Sequence, residues 1–477
     1  MRHFVSTLIL FLVFAMPVHA ADPEQLRLHI DSAQRVNAVY HLACLAESIA
    51  CTKDVFERFW KNRLGWTAND QVVLDSWRQV MTEITNSAAA RSPAPLLPNT
   101  PRFHPGQAAR QTVMVAAIES RSPQDLLRRS AGTLSVQNAA RMNQAIDHFE
   151  RRIRSWWRSE RRQSIQRRLR DVEQHARRTG MPGAVAQVGG FLEADLPNRD
   201  VYVHAITAPE PQSKDYMATQ FGNHFVIEMV DEATTDGIVG IAMHELTHYL
   251  YDRAPREQHL ALLEEFVQSR APSFAGLYTY LNEAIAGAAP GLLKEEREED
   301  PADESHLHPY QHPLGNATLP LLKEAITQRR TQFSDVAKPY IAAGAVALNE
   351  KLRQPQFVLA QVALLLPEDS GRFTEAYFET MFPKASVQFR DEAQLVTFPD
   401  LSVVRFVRYD ALGSFADTIP NVFSLRANRG FAYALNRGRG ASTYVLAGRD
   451  TDAIVDLIRK LATIESLTSD GLLFTLD

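Results

Sequence analysis

The spacing of apolar side chains predicts a mainly helical chain. Short apolar steps such as Val55, Phe59 and Trp60 predict helices from residue 22 to about residue 92. A stripe with three- and four-residue steps predicts one long helix over 136–178. Its members are Phe149, Ile153, Trp156, Trp157, Leu169, Val172 and Ala176.

Short strands are predicted in two other parts of the chain. The apolar runs 201–206 and 224–230 have strand character, and a polar stretch suited to capping a helix follows them. Further strands are predicted near the C-terminus, at 387–390, 403–409, 431–435, 444–447 and 472–476. We therefore expect an α+β fold in which a small α/β domain over 385–477 follows a mainly helical chain with a small mixed sheet.

Composition makes this an ordinary globular protein. Its 477 residues are 45% hydrophobic and 22% charged. A chain of this length is expected to form two or three domains, and its composition is sufficient for a large hydrophobic core. The net charge of -5 argues against bulk affinity for nucleic acid. Eleven arginines lie between Arg151 and Arg178, and they indicate either a surface for nucleic acid or anionic membrane, or a solvated helix face. We favour the solvated face, and we expect no nucleic-acid partner.

The first twenty residues have the pattern of a signal peptide. Arg2 is followed by an apolar core at 4–15 and by the small residues of Val18-His19-Ala20. The alternative is a retained anchor, although the uncharged run ends slightly short of a spanning helix. We expect an exported protein, periplasmic or secreted, with no stable membrane span after cleavage.

The two cysteines also bear on whether the protein is exported. Cys44 and Cys51 would lie about 10 Å apart along one straight helix, too far for a disulfide. A bond therefore requires a turn between Ser48 and Thr52. We favour a disulfide in an oxidising compartment over two free thiols.

The candidate chemistry lies in His244-Glu245-Leu246-Thr247-His248. Histidines four positions apart project from one helix face and can bind one zinc ion. Glu245 is turned about 100° away, which places a carboxylate beside the metal rather than on it. A base must lie there to take a proton from an activated water. The alternative is a core helix whose polar groups satisfy one another.

A catalytic zinc site needs a third protein ligand. Glu283 is the one charged residue between Ala271 and Leu293, so it needs a positive partner there. Small residues around it would let its helix approach the first helix closely. Glu264 is the rival ligand, at the edge of an apolar helix face.

The motif 244–248, together with Leu281-Asn282-Glu283-Ala284, resembles the gluzincin branch of zincin metallopeptidases. The resemblance covers about 195–290. It implies that His244, His248 and Glu283 bind Zn2+ and that Glu245 is the general base. It also implies that strand 224–230 is the sheet edge that pairs with an extended substrate.

The resemblance has two departures. The spacing from the motif 244–248 to Glu283 exceeds that of the best-known gluzincins. Gly287 stands where related enzymes carry an aspartate that supports a histidine, so this support is unidentified. Hydrolysis also needs a donor for the oxyanion. The candidates are His306, His308, Tyr310, His312 and Tyr340.

The predicted organisation is therefore a signal peptide (1–20), a helical N-terminal region (21–135), a zincin-like metallohydrolase domain (136–355) and the C-terminal domain. We expect an exported zinc metallopeptidase that acts on a peptide or protein substrate. The alternatives are an inactive zinc-stabilised binding or scaffold protein of the cell envelope, and a zinc hydrolase of a non-peptide amide or ester.

Overall fold

The computed structural model describes most of the chain and confirms the α+β class. The described residues are 27–49, 51–89, 105–130, 132–195, 200–207, 217–229, 234–269, 274–294, 310–328, 333–366, 371–382, 386–389, 402–438 and 441–477. The predicted signal peptide, His306 and His308 lie outside them. No described helix is long and apolar enough to cross a bilayer.

Helices dominate the described chain. In order they are α1 (Gln34–Leu45), α2 (Lys53–Phe59), α3 (Ala68–Ala89), α4 (Pro105–Glu119), α5 (Pro123–Arg129), α6 (Val136–Trp156), α7 (Arg162–Arg178), α8 (Met181–Phe191), α9 (Thr235–Asp252), α10 (Arg256–Gln268), α11 (Phe274–Ala288), α12 (Gln311–Gln328), α13 (Ala337–Leu348), α14 (Pro355–Val358), α15 (Gly371–Met381), α16 (Val422–Leu425) and α17 (Thr451–Thr463). The predicted long helix forms as α6 and α7, joined by a π-helical turn at Trp157–Arg161.

The first sheet contains β1 (Arg27–Asp31), β2 (Asp200–Thr207), β3 (Ala218–Phe221) and β4 (His224–Met229). Its strand order is β1-β2-β4-β3, with β1, β2 and β4 parallel and β3 antiparallel to β4. The expectation that strand 224–230 forms the sheet edge is therefore wrong. β4 lies between two strands, because β3 turns back and pairs along its outer side.

Two predictions about the N-terminal segment are decided by the structure. Residues 27–31, expected to be helical, form β1 because they pair with β2. The disulfide between Cys44 and Cys51 is confirmed. The chain turns between them, since α1 ends at Leu45 and α2 begins at Lys53.

A buried carboxylate ties this segment to the sheet. Glu228 in β4 accepts a hydrogen bond from the Tyr40 hydroxyl (2.6 Å). It also accepts bonds from the backbone N–H (3.2 Å) and the hydroxyl (2.6 Å) of Thr52, next to the disulfide. Burial raises the pKa of Glu228 and outweighs these donors, which lower it. The helical N-terminal segment and the sheet are thus joined by three hydrogen bonds to one side chain.

A second buried carboxylate joins α3 to α6. Asp70 is fully buried and accepts hydrogen bonds from the backbone N–H (2.6 Å) and hydroxyl (2.8 Å) of Thr67. It also pairs with His148 (2.7 Å) and Arg152 (3.0 Å). Burial raises the pKa of Asp70, but these partners lower it by more, so the net pKa lies below its ordinary value.

One hydrophobic core extends from Val36 to Ala360 and takes in both the N-terminal helices and the elements around α9. Two further clusters lie in the C-terminal part, within 358–467 and 407–447. They surround a second sheet of strand order β10-β8-β9-β7-β5-β6.

Its strands are β5 (Gln361–Leu365), β6 (Ser386–Phe389), β7 (Ser402–Arg408), β8 (Gly430–Gly438), β9 (Ala441–Gly448) and β10 (Gly471–Leu476). The strands expected there from the apolar pattern all form, and β5 is an addition.

Candidate metal centre

Helix α9 supplies two of the candidate ligands and the candidate base. Its first turn is capped by Thr234, whose hydroxyl accepts from the backbone N–H of Gly237 (3.0 Å). Apolar side chains, among them Leu246 and Leu250, fix the buried face of the helix in the core. The four-residue spacing then places His244 and His248 together on a partly exposed face.

Helix α11 supplies the third ligand from across the cluster. Glu283 Oε2 lies 3.7 Å from His244 Nε2 and 3.6 Å from His248 Nε2. Gly287 permits a close approach to α12, where a Cβ added to it would lie 3.9 Å from the Cα of Gly315.

The three donor atoms have the spacing that a zinc ion requires. The two Nε2 atoms lie 3.0 Å apart, so the sides of the triangle with Glu283 Oε2 are 3.0, 3.6 and 3.7 Å. Ligand atoms about 2.1 Å from a tetrahedral zinc are separated by about 3.4 Å. His244, His248 and Glu283 thus fit the metal that the sequence predicts, and they form a group able to hold an ion within the described chain.

The cluster is open to solvent. The side chains of His244 and Glu283 are 31% and 35% exposed, and that of His248 is 15% exposed. Structural zinc sites are closed by four protein ligands, whereas catalytic sites keep an open position. Among the described residues the cluster has three potential ligands, and its face is accessible to solvent.

Asn282 provides the support that the sequence left unidentified for one histidine. Its Oδ1 lies 2.9 Å from His248 Nδ1. An amide oxygen accepts a hydrogen bond, so Nδ1 carries the proton and Nε2 presents its lone pair to the cluster. Asn282 belongs to the sequence motif 281–284, but the sequence alone indicates no role for it. Because Asn282 directly precedes Glu283 in the sequence, its location near the cluster could have been predicted.

The charged groups of the cluster shift one another's protonation. Burial raises the pKa of Glu245, and the Glu283 charge adds to this shift while His248 opposes it. Burial lowers the pKa of His248, but Glu283, Glu245 and the Asn282 hydrogen bond outweigh burial and leave it raised. Among the described residues, none donates a hydrogen bond to the Glu245 carboxylate, so its oxygens are available to a proton.

The rival ligand lies outside the cluster. Glu264 in α10 accepts a hydrogen bond from Gln268 (2.9 Å). It lines a surface pocket with Glu265, Ser334 and Lys338.

The described candidates for oxyanion donor have other partners. The Tyr310 hydroxyl donates to Gln354 (2.9 Å) and the Tyr340 hydroxyl donates to the Leu277 carbonyl (3.1 Å), and both rings are buried. His312 Nε2 lies 3.4 Å from the Asn316 amide in α12. The hydrogen bonds described for these three side chains are made with groups outside the cluster.

Known proteins offer no assignment for this arrangement. No protein-family model, curated protein or solved structure matches the chain. The function must be inferred from the geometry of the cluster.

Proposed function

We propose that this protein is an exported zinc-dependent metallopeptidase. The observation that carries the proposal is the convergence of His244, His248 and Glu283, with the Glu245 carboxylate beside them. Two neutral imidazole nitrogens and one carboxylate are a donor set that zinc prefers.

The residues of the chain have distinct roles in the proposed hydrolysis. His244, His248 and Glu283 would hold the zinc ion, which would supply a Lewis acid for the substrate carbonyl and for the attacking water. A carboxylate oxygen of Glu245 accepts a proton from this water and later delivers it to the leaving nitrogen. Asn282 holds the His248 ring in the tautomer that leaves Nε2 free.

A peptide substrate is supported by the sheet. Among the described strands, β3 pairs only with β4, so its other side is an edge. An extended peptide binds such an edge by adding a strand. Export is supported by the Cys44–Cys51 disulfide, because disulfides persist in oxidising compartments.

The test combines metal analysis with a fluorescent peptide library. Wild type should bind one zinc ion per chain and cleave peptides. Glu245→Gln should keep the zinc and lose cleavage by at least about 100-fold, because it removes the general base. Glu264→Gln, the same substitution outside the cluster, should keep both zinc and cleavage.

Other outcomes contradict specific parts of the proposal. Cleavage that survives Glu245→Gln with zinc bound would refute the mechanism. Zinc retained at full stoichiometry by Glu283→Gln but lost by Glu264→Gln would refute the ligand assignment. Zinc binding with no hydrolysis of peptides would favour a scaffold protein, or a hydrolase of another amide or ester if those substrates are cleaved.

A further inference from the structure

Two buried histidines form a hydrogen-bonded relay on the first sheet, separate from the metal centre. His204 Nε2 in β2 lies 2.8 Å from His224 Nδ1 in β4. The far nitrogen of His204 bonds to Asp31 of β1, and His224 Nε2 lies 3.0 Å from Glu119 Oε1 at the end of α4. Both residues are only 3% exposed. Four elements are thus joined by three consecutive contacts.

The relay needs more protons than neutral histidines provide. Each hydrogen bond requires one proton between its two heavy atoms, so three contacts require three protons. Two neutral imidazoles carry two, and ionised Asp31 and Glu119 carry none. The complete relay therefore holds one additional proton. Without it, two lone pairs must face each other at one contact, and that contact opens.

We propose that the relay of Asp31, His204, His224 and Glu119 is a proton-operated latch that fastens β1 and α4 to the centre of the sheet. The latch is complete when the additional proton is bound. When the proton leaves, one end of the relay separates from the histidine pair. The ligand of this site is a single proton, and its effect is a change in how firmly the outer elements are held.

Both ends of the relay exchange protons with solvent. The side chain of Asp31 is 49% exposed and that of Glu119 is 27% exposed. Glu119 also lines a surface cavity together with Arg129, Asn223 and Arg253. A proton can therefore reach the buried rings without global unfolding.

Other charged groups around the relay hold Glu119 in place. Arg129 forms an ion pair with Glu119 and also with Asp125 of α5. Hydrogen bonding to His224 is the largest cause that lowers the pKa of Glu119, with Arg129 adding to it. The carboxylate thus stays ionised, and the additional proton belongs to the histidine pair.

The charged groups on the β1 side form a separate cluster of three. Asp200 accepts hydrogen bonds from Arg27 and His29 (both 2.8 Å), and Tyr202 stacks between the His29 and His224 rings. Because one neutral histidine satisfies the His29 contact, this neighbouring cluster needs no additional proton.

Two opposing effects set the pH range of the latch. Burial lowers the pKa of His224, and the His204 charge adds to this, while Glu119 and Asp31 raise it. The complete relay holds one more proton than the open relay, so we expect the latch to be complete at lower pH and to open as the pH rises.

The test exploits the difference between a carboxylate and an amide. An amide donates to a bare imidazole nitrogen or accepts from a protonated one, so Glu119→Gln and Asp31→Asn each keep their contact without the additional proton. Hydrogen–deuterium exchange would be measured on the full chain for 27–31, 105–119 and 217–229, corrected for intrinsic exchange. In wild type, protection of at least one segment should fall about tenfold per pH unit above the apparent pKa.

The variants decide the outcome. Both amide variants should show protection that is independent of pH, and Asp200→Asn, the control beside the relay, should behave as wild type. Wild-type protection that does not change with pH would overturn the proposal. So would a wild-type pH dependence in both amide variants. If one amide variant does not fold, the pH dependence of protection in the other variant still tests the proposal.

Discussion

The hydrogen bond between Asn282 and His248 makes a quantitative prediction about zinc affinity. Asn282→Ala removes the acceptor that lies 2.9 Å from His248 Nδ1. The ring is then free to rotate, and its Nε2 is no longer held toward His244 and Glu283. Loss of such a partner weakens metal binding by about 10- to 100-fold, or roughly 1.4–2.7 kcal/mol. Because the His248 side chain is 15% exposed, water replaces part of the lost bond, and we expect the lower half of this range.

The assay is competition for zinc with a fluorescent chelator at fixed pH. Asn316→Ala is the matched control, since it removes an asparagine that contacts a histidine (His312) outside the cluster. It should leave zinc affinity within about twofold of wild type, because a surface contact adds little. If Asn282→Ala bound zinc as tightly as this control, Asn282 would not orient the ligand. The reasoning from the hydrogen bond would then be refuted.

Three further predictions concern stability, each measured by urea unfolding. Tyr40→Phe removes one donor from buried Glu228 and should cost about 1.5–3 kcal/mol, and an unchanged midpoint would contradict this. Replacing Cys44 and Cys51 by serine opens a loop of sequence separation 7 and should cost about 2–3 kcal/mol, an effect that reductant should reproduce in wild type only. Asp70→Asn should cost most at neutral pH, because a lowered pKa adds stability that is present above the unfolded pKa and lost as pH falls through the folded pKa. A difference from wild type that stays constant from pH 7 to pH 3 would show that the charge of Asp70 is not the cause.

The cluster of His244, His248 and Glu283 was largely predictable because its information is local. His244 and His248 belong to one helical turn, so their common face follows from spacing alone. Glu283 was identified because an isolated carboxylate in an apolar helix needs a partner. The role of Asn282 was not predictable, since it depends on the rotation of α11 relative to α9. Sequence spacing does not specify that rotation.

The arrangement of the first sheet was less predictable because it depends on distant pairing. β1 was expected to be helical, and only its register with β2 makes it a strand. The edge was misassigned because the short strand β3 carries no strong apolar pattern. The relay depends on register as well. Tyr202 lies opposite His224 in the parallel pair of β2 and β4, which brings His204 within reach of the same ring.

The pairing of β1 with β2 also constrains how the chain folds. Arg27 and Asp200 are 173 positions apart, and closing a loop of that length costs about 4–5 kcal/mol of chain entropy before the strands gain any contacts. Contacts of such long range slow folding. As the chain is synthesised, β1 has no partner until β2 has emerged, and its backbone groups stay open to other chains in that interval. During that interval β1 is therefore more exposed to pairing with other chains than it is after β2 has formed.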